Sequence, residues 1–143
     1  MRIYTDGSTH PTNPGPGGFA VVIVDDDDNL ITTHSEQCDN TTNNREEIKA
    51  ILWAFLKYGS RDHEITVYSD SAYCVSTFNI WMFKWALNGW IKSDKKTPEN
   101  LDLIQTYFRY WQRGYKIDLQ KIKGHAGHKW NELADKLARG DSL

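Results

Sequence analysis

The chain has 143 residues, room for one domain of ordinary size and too few for two with separate cores. It is 39% apolar, 25% charged and 13% aromatic, which excludes a disordered or collagen-like polymer. The formal net charge of −2 points away from nucleic acid as a partner, but residues 1–83 carry net −7 and residues 84–123 carry net +5, so the total conceals a basic segment. No stretch approaches the roughly 20 apolar residues of a membrane span, and the Met1-Arg2-Ile3-Tyr4 start has no signal-peptide core. A cytoplasmic location with no membrane partner is therefore expected. Cys38 and Cys74 lack metal-ligand spacing and are expected to be reduced structural thiols.

In chain order, Arg2 to Asp6 is a β-prone run expected to stop at Gly7-Ser8, and the turn cluster Asn13-Pro14-Gly15-Pro16-Gly17-Gly18 leads into a second strand, Phe19 to Val24. Asp25 to Asn29 is a polar hairpin turn, and Leu30 to Gln37 is an antiparallel third strand. From Thr41 to Asn44 the pattern changes to a period of 3.6, with Ile48, Ile51, Leu52, Phe55 and Leu56 on one face before Gly59. Glu64 to Ser69 is a fourth strand, and Asp70-Ser71 opens a helical stretch through Tyr73, Val75 and Phe78. A tryptophan- and lysine-rich stretch, 79–98, precedes a helix from Pro98 to Arg113 whose apolar positions are Leu101, Ile104, Tyr107, Phe108 and Trp111. Tyr115 to Ile122 alternates as a fifth strand, Gly124 to His128 is a loop, and Trp130 to Ala138 is the last helix. This order predicts an α/β fold, a mixed sheet flanked by helices, in a single domain over 1–143.

Two strands end alike, in Tyr4-Thr5-Asp6-Gly7-Ser8 and Tyr68-Ser69-Asp70-Ser71. If they lie parallel and adjacent, Asp6 and Asp70 emerge together at the carboxyl edge, where α/β sheets place ligands; singly, each aspartate also suits a turn or a helix cap. Glu46 and Glu47 are separated by helical geometry. Glu46 lies about 150° from the centre of the apolar stripe and Glu47 about 110°, so Glu47 is better placed to reach the sheet edge. Asp135, about 130° from the stripe of the last helix, has the position of a solvated residue.

These motifs carry a resemblance. Thr5-Asp6-Gly7-Ser8, Asn13 to Gly18, Thr42-Asn43-Asn44-Arg45-Glu46-Glu47, Ser69-Asp70-Ser71, and Lys123-Gly124-His125-Ala126-Gly127-His128 followed by Asn131, Glu132 and Asp135 resemble type 1 ribonuclease H nearly end to end. The resemblance implies a ribonuclease H-like fold. Its five-stranded mixed sheet has strands 1–3 antiparallel and strands 4 and 5 parallel to strand 1. It implies an endonuclease that hydrolyses the RNA strand of RNA–DNA hybrids and leaves 5′-phosphate and 3′-hydroxyl ends. It places a catalytic, metal-binding quartet on Asp6, Glu47, Asp70 and Asp135, and a loop histidine that aids turnover at His125. An oxygen-only donor set suits Mg²⁺, two ions with substrate, with Mn²⁺ as substitute. No separate N-terminal hybrid-binding domain is expected, and a monomer is the default.

Recognition of a hybrid without sequence preference calls for phosphate contacts and readout of the 2′-hydroxyl. The resemblance offers Asn13, Thr42, Asn43 and Asn44 as groove contacts, although Asn43 and Glu46 also have capping-pair spacing. Residues 81–96 interleave Trp81, Trp85 and Trp90 with Lys84, Lys92, Lys95 and Lys96, and look like the family's basic protrusion. Lys84, Trp85, Lys92, Lys95 and Lys96 are its expected substrate contacts, although the i,i+4 spacing of Trp81 and Trp85 is more often that of core residues than of stacking platforms. Ala72 stands where relatives often have Gln, and Ala86, Leu87 and Asn88 where many are more basic. Two rivals share the fold: another phosphoryl-transfer enzyme, such as an integrase, and a catalytically silent module.

Overall fold

The computed structural model describes residues 1–123 and 128–142. The strands are β1 (Arg2–Thr9), β2 (Gly15–Val24), β3 (Leu30–Thr41), β4 (Thr66–Ser69) and β5 (Asp118–Lys121). The helices are α1 (Asn43–Tyr58), α2 (Ala72–Ser76), α3 (Met82–Leu87), α4 (Leu101–Gln112) and α5 (Lys129–Ala138), with a π-helical turn at Thr77–Trp81 joining α2 to α3. The five strands form one sheet in the order β3-β2-β1-β4-β5. As expected, β1 to β3 are antiparallel neighbours, β4 is parallel to β1 and β5 is parallel to β4.

Apolar alternation assigns the two faces. Ile3, Phe19, Val21 and Ile23 point to one side, where Ile48, Ile51 and Phe55 of α1 cover them, with Phe78, Met82, Ile104 and Tyr107 closing that core. Tyr107 stacks on Phe55 at 4.1 Å and on Phe78 at 4.2 Å between ring centroids, tying α4 to α1 and to the π turn. Tyr4, Ala20, Val22 and Val24 point to the other side and meet Trp130, Ala134, Leu137 and Ala138 of α5. Each fully buried large apolar side chain contributes about 1.5–3 kcal/mol.

Several expectations are corrected. β1 does not stop at Gly7-Ser8 but runs on to Thr9, because Gly7, Ser8 and Thr9 pair with Phe19, Gly18 and Gly17 of β2. β2 accordingly begins inside the turn cluster, at Gly15, and β3 extends to Thr41, paired with Gly15. β4 and β5 are shorter than the alternation predicted, and α4 starts at Leu101, beyond Pro98. Leu56 (45% exposed) and Trp111 (40% exposed) leave the apolar stripes to which periodicity assigned them.

Glu46 is the sharpest correction. The residue placed farthest from the apolar stripe is fully buried. The extended β3 brings Thr41 under the start of α1, and its Oγ1 donates to Glu46 Oε2 at 2.8 Å, while Lys49 Nζ lies 2.9 Å from the same oxygen. Periodicity reports which face is apolar, and a buried acid with both partners in place escapes it. Cys38 and Cys74 are free thiols, as expected.

Candidate active site

Parallel pairing of β1 with β4 ends with Thr5 beside Ser69, so the next residues, Asp6 and Asp70, stand together just past that pairing. Opposite them, α1 approaches β1 very closely at Gly7. A Cβ there would lie 2.3 Å from the Glu46 carbonyl carbon and 2.3 Å from the Glu47 nitrogen. Only glycine admits that approach. It lets the Gly7 backbone N–H donate to Glu47 Oε1 at 2.5 Å, while Ser69 Oγ donates to Oε2 at 3.3 Å. The helix start is fixed in turn by Thr42, whose Oγ1 accepts from Arg45 N at 3.1 Å, and by a bidentate Arg45–Asp102 pair at 3.1 and 2.9 Å. Thr42 thus takes the capping role that spacing had offered to Asn43.

Asp6, Glu47 and Asp70 each present an oxygen such that the three lie within 4.8 Å of one another. Asp6 is 5% and Glu47 6% exposed. Burial first, then the hydrogen bond and charge of Glu47, then Asp70 and Asp135, push the Asp6 carboxyl far above the ordinary carboxylate range. Glu47 is also raised, chiefly by burial, against the lowering effect of its hydrogen bonds with Asp6, Gly7 and Ser69. Without a cation, the pair therefore holds a proton on Asp6, hydrogen-bonded to Glu47. Three close carboxylates, two of them pushed toward the protonated form, are a donor set for a hard divalent cation, which would take the place of the proton they hold.

Asp135 joins this group from α5. It is half-buried, its hydrogen bonding contributes to the rise at Asp6, and Arg139 one turn later pairs with it at 3.1 Å. Its ligand atoms are outside the set of three that lie within 4.8 Å. His125 lies outside the described residues.

The expected groove residues are gathered beside the cluster. Asn13 Oδ1 accepts from the Asn43 N–H at 3.0 Å, and Asn43 Oδ1 accepts from Thr9 N at 2.7 Å and Thr9 Oγ1 at 3.0 Å. Asn43 and Asn44 are exposed. On the protrusion the two tryptophans part: Trp85 packs into the core at 8% exposure, whereas Trp81 is 43% exposed with Lys84 Nζ 4.9 Å from its ring centroid. Lys92, Lys95 and Lys96 crowd one tight turn, where Lys92 N donates to Lys96 O and Lys95 N to Lys92 O, both at 2.9 Å. Asp94, 3.8 Å from Lys92, sits inside it. Sequence reasoning passed over Ser69 and Arg139, which touch Glu47 and Asp135. A hydroxyl just before the strand-end aspartate, and a cation one helical turn after Asp135, were the available signals.

A sequence model of the RNase H family matches residues 1–142. The chain is 40% identical to the ribonuclease H of Thermoanaerobacter sp. (strain X514) over 139 residues, 96% of this chain and 86% of that protein. Its fold is similar to the solution structure of the PFV RNase H domain (TM-score 0.78, 26% identity, covering 95% and 90% of the two chains). It is also similar to the crystal structure of LC11-RNase H1 in complex with RNA/DNA hybrid (TM-score 0.63, 26% identity, 94% and 93%). With three carboxylates converging where the parallel pairing of β1 and β4 ends, and a family match over almost its whole length, the chain belongs to the RNase H family of hydrolytic nucleases.

Proposed function

We propose that this protein is a Mg²⁺-dependent endonuclease that hydrolyses the RNA strand of RNA–DNA hybrids, leaving 5′-phosphate and 3′-hydroxyl ends. The observation that carries the proposal is the Asp6, Glu47 and Asp70 cluster, with ligand atoms within 4.8 Å, extended by Asp135 toward Asp6. Hybrid as substrate is supported by the complex of the similar LC11-RNase H1. Asp6, Glu47, Asp70 and Asp135 would hold a pair of Mg²⁺ ions, for which Mn²⁺ can substitute. Bound there, the ions supply an activated water and neutralise the leaving oxygen of a phosphoryl displacement.

The residues of the chain do the rest. Gly7 N–H and Ser69 Oγ orient the Glu47 carboxylate, and Arg139 holds Asp135 against the site. Asn13 Oδ1 accepts from the Asn43 backbone N–H and Asn43 Oδ1 accepts from Thr9, which leaves both amide N–H₂ groups for use as donors to sugar and base edges. Lys84, Lys92, Lys95 and Lys96 meet the phosphate backbone, with Trp81, not the buried Trp85, as the exposed ring. His125 would assist departure of the cleaved phosphate.

The test is incubation of labelled RNA–DNA hybrid, RNA duplex and DNA duplex with Mg²⁺ or with chelator, for the wild-type protein and for Asp70→Asn. Hybrid alone should be cut, by the wild-type protein alone and with Mg²⁺ alone. Cleavage of DNA duplex, or of hybrid by Asp70→Asn, would overturn the reading. Binding without cleavage would identify a silent module.

A further inference from the structure

Arg139, paired with Asp135, also lines a cleft of about 230 Å³ with the polar side chains of Ser8, His10 and Gln37, completed by Pro16, Gly17 and Ala138. Its position follows from the way α5 lies along β1. The His128 ring lies 4.9 Å from that of Tyr4, Asp135 meets Asp6, and Arg139 shares the cleft with Ser8. Two strand residues advance about 7 Å and four helical residues about 6 Å, so the elements keep step. Asp6 and Asp135 form one rung, and Ser8 and Arg139 form the next. Strand alternation puts the Ser8 side chain on the same sheet face as Asp6.

The lining side chains are a hydroxyl, an imidazole, an amide and a guanidinium, with no acid among them. Gln37 Nε2 donates to Ala138 O at 3.1 Å, which ties the edge strand β3 to the end of α5 and holds the wall of the cleft in place. Arg139, half-exposed, has one nitrogen 3.1 Å from Asp135 and a planar set of further donors. This is a set of groups for a phosphodiester, one rung from the place where a phosphate would be attacked.

We infer that Ser8, His10 and Arg139 form a subsite that grips the phosphate of the RNA strand neighbouring the scissile one. The inference rests on the hybrid-cleaving function proposed above and adds to it the residues that set the register of the RNA strand. Arg139 has two partners in this scheme. It positions Asp135 from one side and binds the neighbouring phosphate from the other, so seating the RNA strand and aligning the fourth carboxylate are coupled.

The experiment uses a short hybrid whose cleavage position is mapped, intact or with one neutral methylphosphonate at the RNA linkage adjacent to the scissile bond. Ser8→Ala with His10→Ala leaves Arg139 and Asp135 untouched and should raise KM about tenfold with kcat preserved, as expected for a lost charge-assisted contact. Wild type should lose at least the same factor on the methylphosphonate hybrid, and the double variant should lose less, only the share that the retained Arg139 contributes. Arg139→Ala should lower kcat as well as raise KM, and Arg139→Lys should restore part of both. Binding of the intact hybrid in an Asp70→Asn background, followed by fluorescence anisotropy, should weaken by the same factor in Ser8→Ala with His10→Ala.

An equal methylphosphonate penalty in wild type and double variant overturns the subsite, as does a penalty that appears only when the neutral linkage is in the DNA strand. Failure of the wild-type protein to cut the intact hybrid overturns the hybrid-cleaving function itself. These failures are distinguishable, because the second is seen without any variant.

Discussion

Gly7→Ala puts the packing of the site to a direct test. The added methyl carbon would lie 2.3 Å from two backbone atoms of α1 and 2.6 Å from a third, the Glu46 oxygen. Ordinary contact begins near 3.4 Å, so the helix start must retreat from β1 by about an ångström, and no side-chain rotation can relieve backbone on backbone. Overpacking of this kind costs about 1–3 kcal/mol, or roughly 4–12 °C in Tm for a domain of this size. The same retreat carries Glu47 away from Asp6 and Asp70, and a misplacement of about 1 Å lowers rate by roughly 100-fold.

The assay pairs differential scanning calorimetry with steady-state hybrid cleavage, and uses Gly114→Ala as the reference variant. Gly114 has φ +95 and only the Arg61 Cγ, at 3.8 Å, near its absent methyl, so alanine there strains the backbone without moving the site. Both variants should lose stability, and only Gly7→Ala should lose kcat, with KM nearly unchanged because the lysines of the protrusion are untouched. Wild-type kcat in a correctly folded Gly7→Ala protein would refute the claim that this glycine sets the position of Glu47.

Other outcomes follow from the same structure. Asp6 and Glu47 are raised above their unfolded values, so the metal-free protein is most stable below about pH 4 with respect to these groups and loses that contribution as pH rises through their folded values. Mg²⁺ should therefore raise Tm more at pH 8 than at pH 5, and an equal gain at both would contradict the proton-holding cluster. Asp102, held low by Arg45, acts in the opposite sense, its contribution disappearing only as pH falls below about 4. Lys49→Met strands the buried Glu46 and should cost about 3 kcal/mol in denaturant titration, whereas Glu46→Met with Lys49→Met should return close to wild type. Thr42→Ala removes the α1 cap and should cost about 1 kcal/mol by the same measurement. Lys95→Ala with Lys96→Ala should raise KM for hybrid and flatten its dependence on salt, and an unchanged salt slope would make that turn a solvated loop.

Local patterns in the chain were enough to order the elements, to bring Asp6 of β1 and Asp70 after β4 to one edge, and to choose Glu47 over Glu46 as the residue facing that edge. Backbone propensity and the periods of strand and helix are properties of neighbouring residues, and the motifs that resemble type 1 ribonuclease H are contiguous. What tertiary structure alone decided depends on segments distant in the chain. β1 runs through Gly7 because β2 pairs with it residue by residue and α1 needs the space of a missing side chain. Glu46 is buried because Thr41, at the end of a longer β3, and Lys49 satisfy its charge, which no hydrophobic period can register. Asp135 looked like the solvated side of a helix, and Arg139 carried no signal, until the parallel run of α5 along β1 set one beside Asp6 and the other beside Ser8. Burial of a charge is decided by the partners that meet it in space, and those partners are named only when the sheet is assembled.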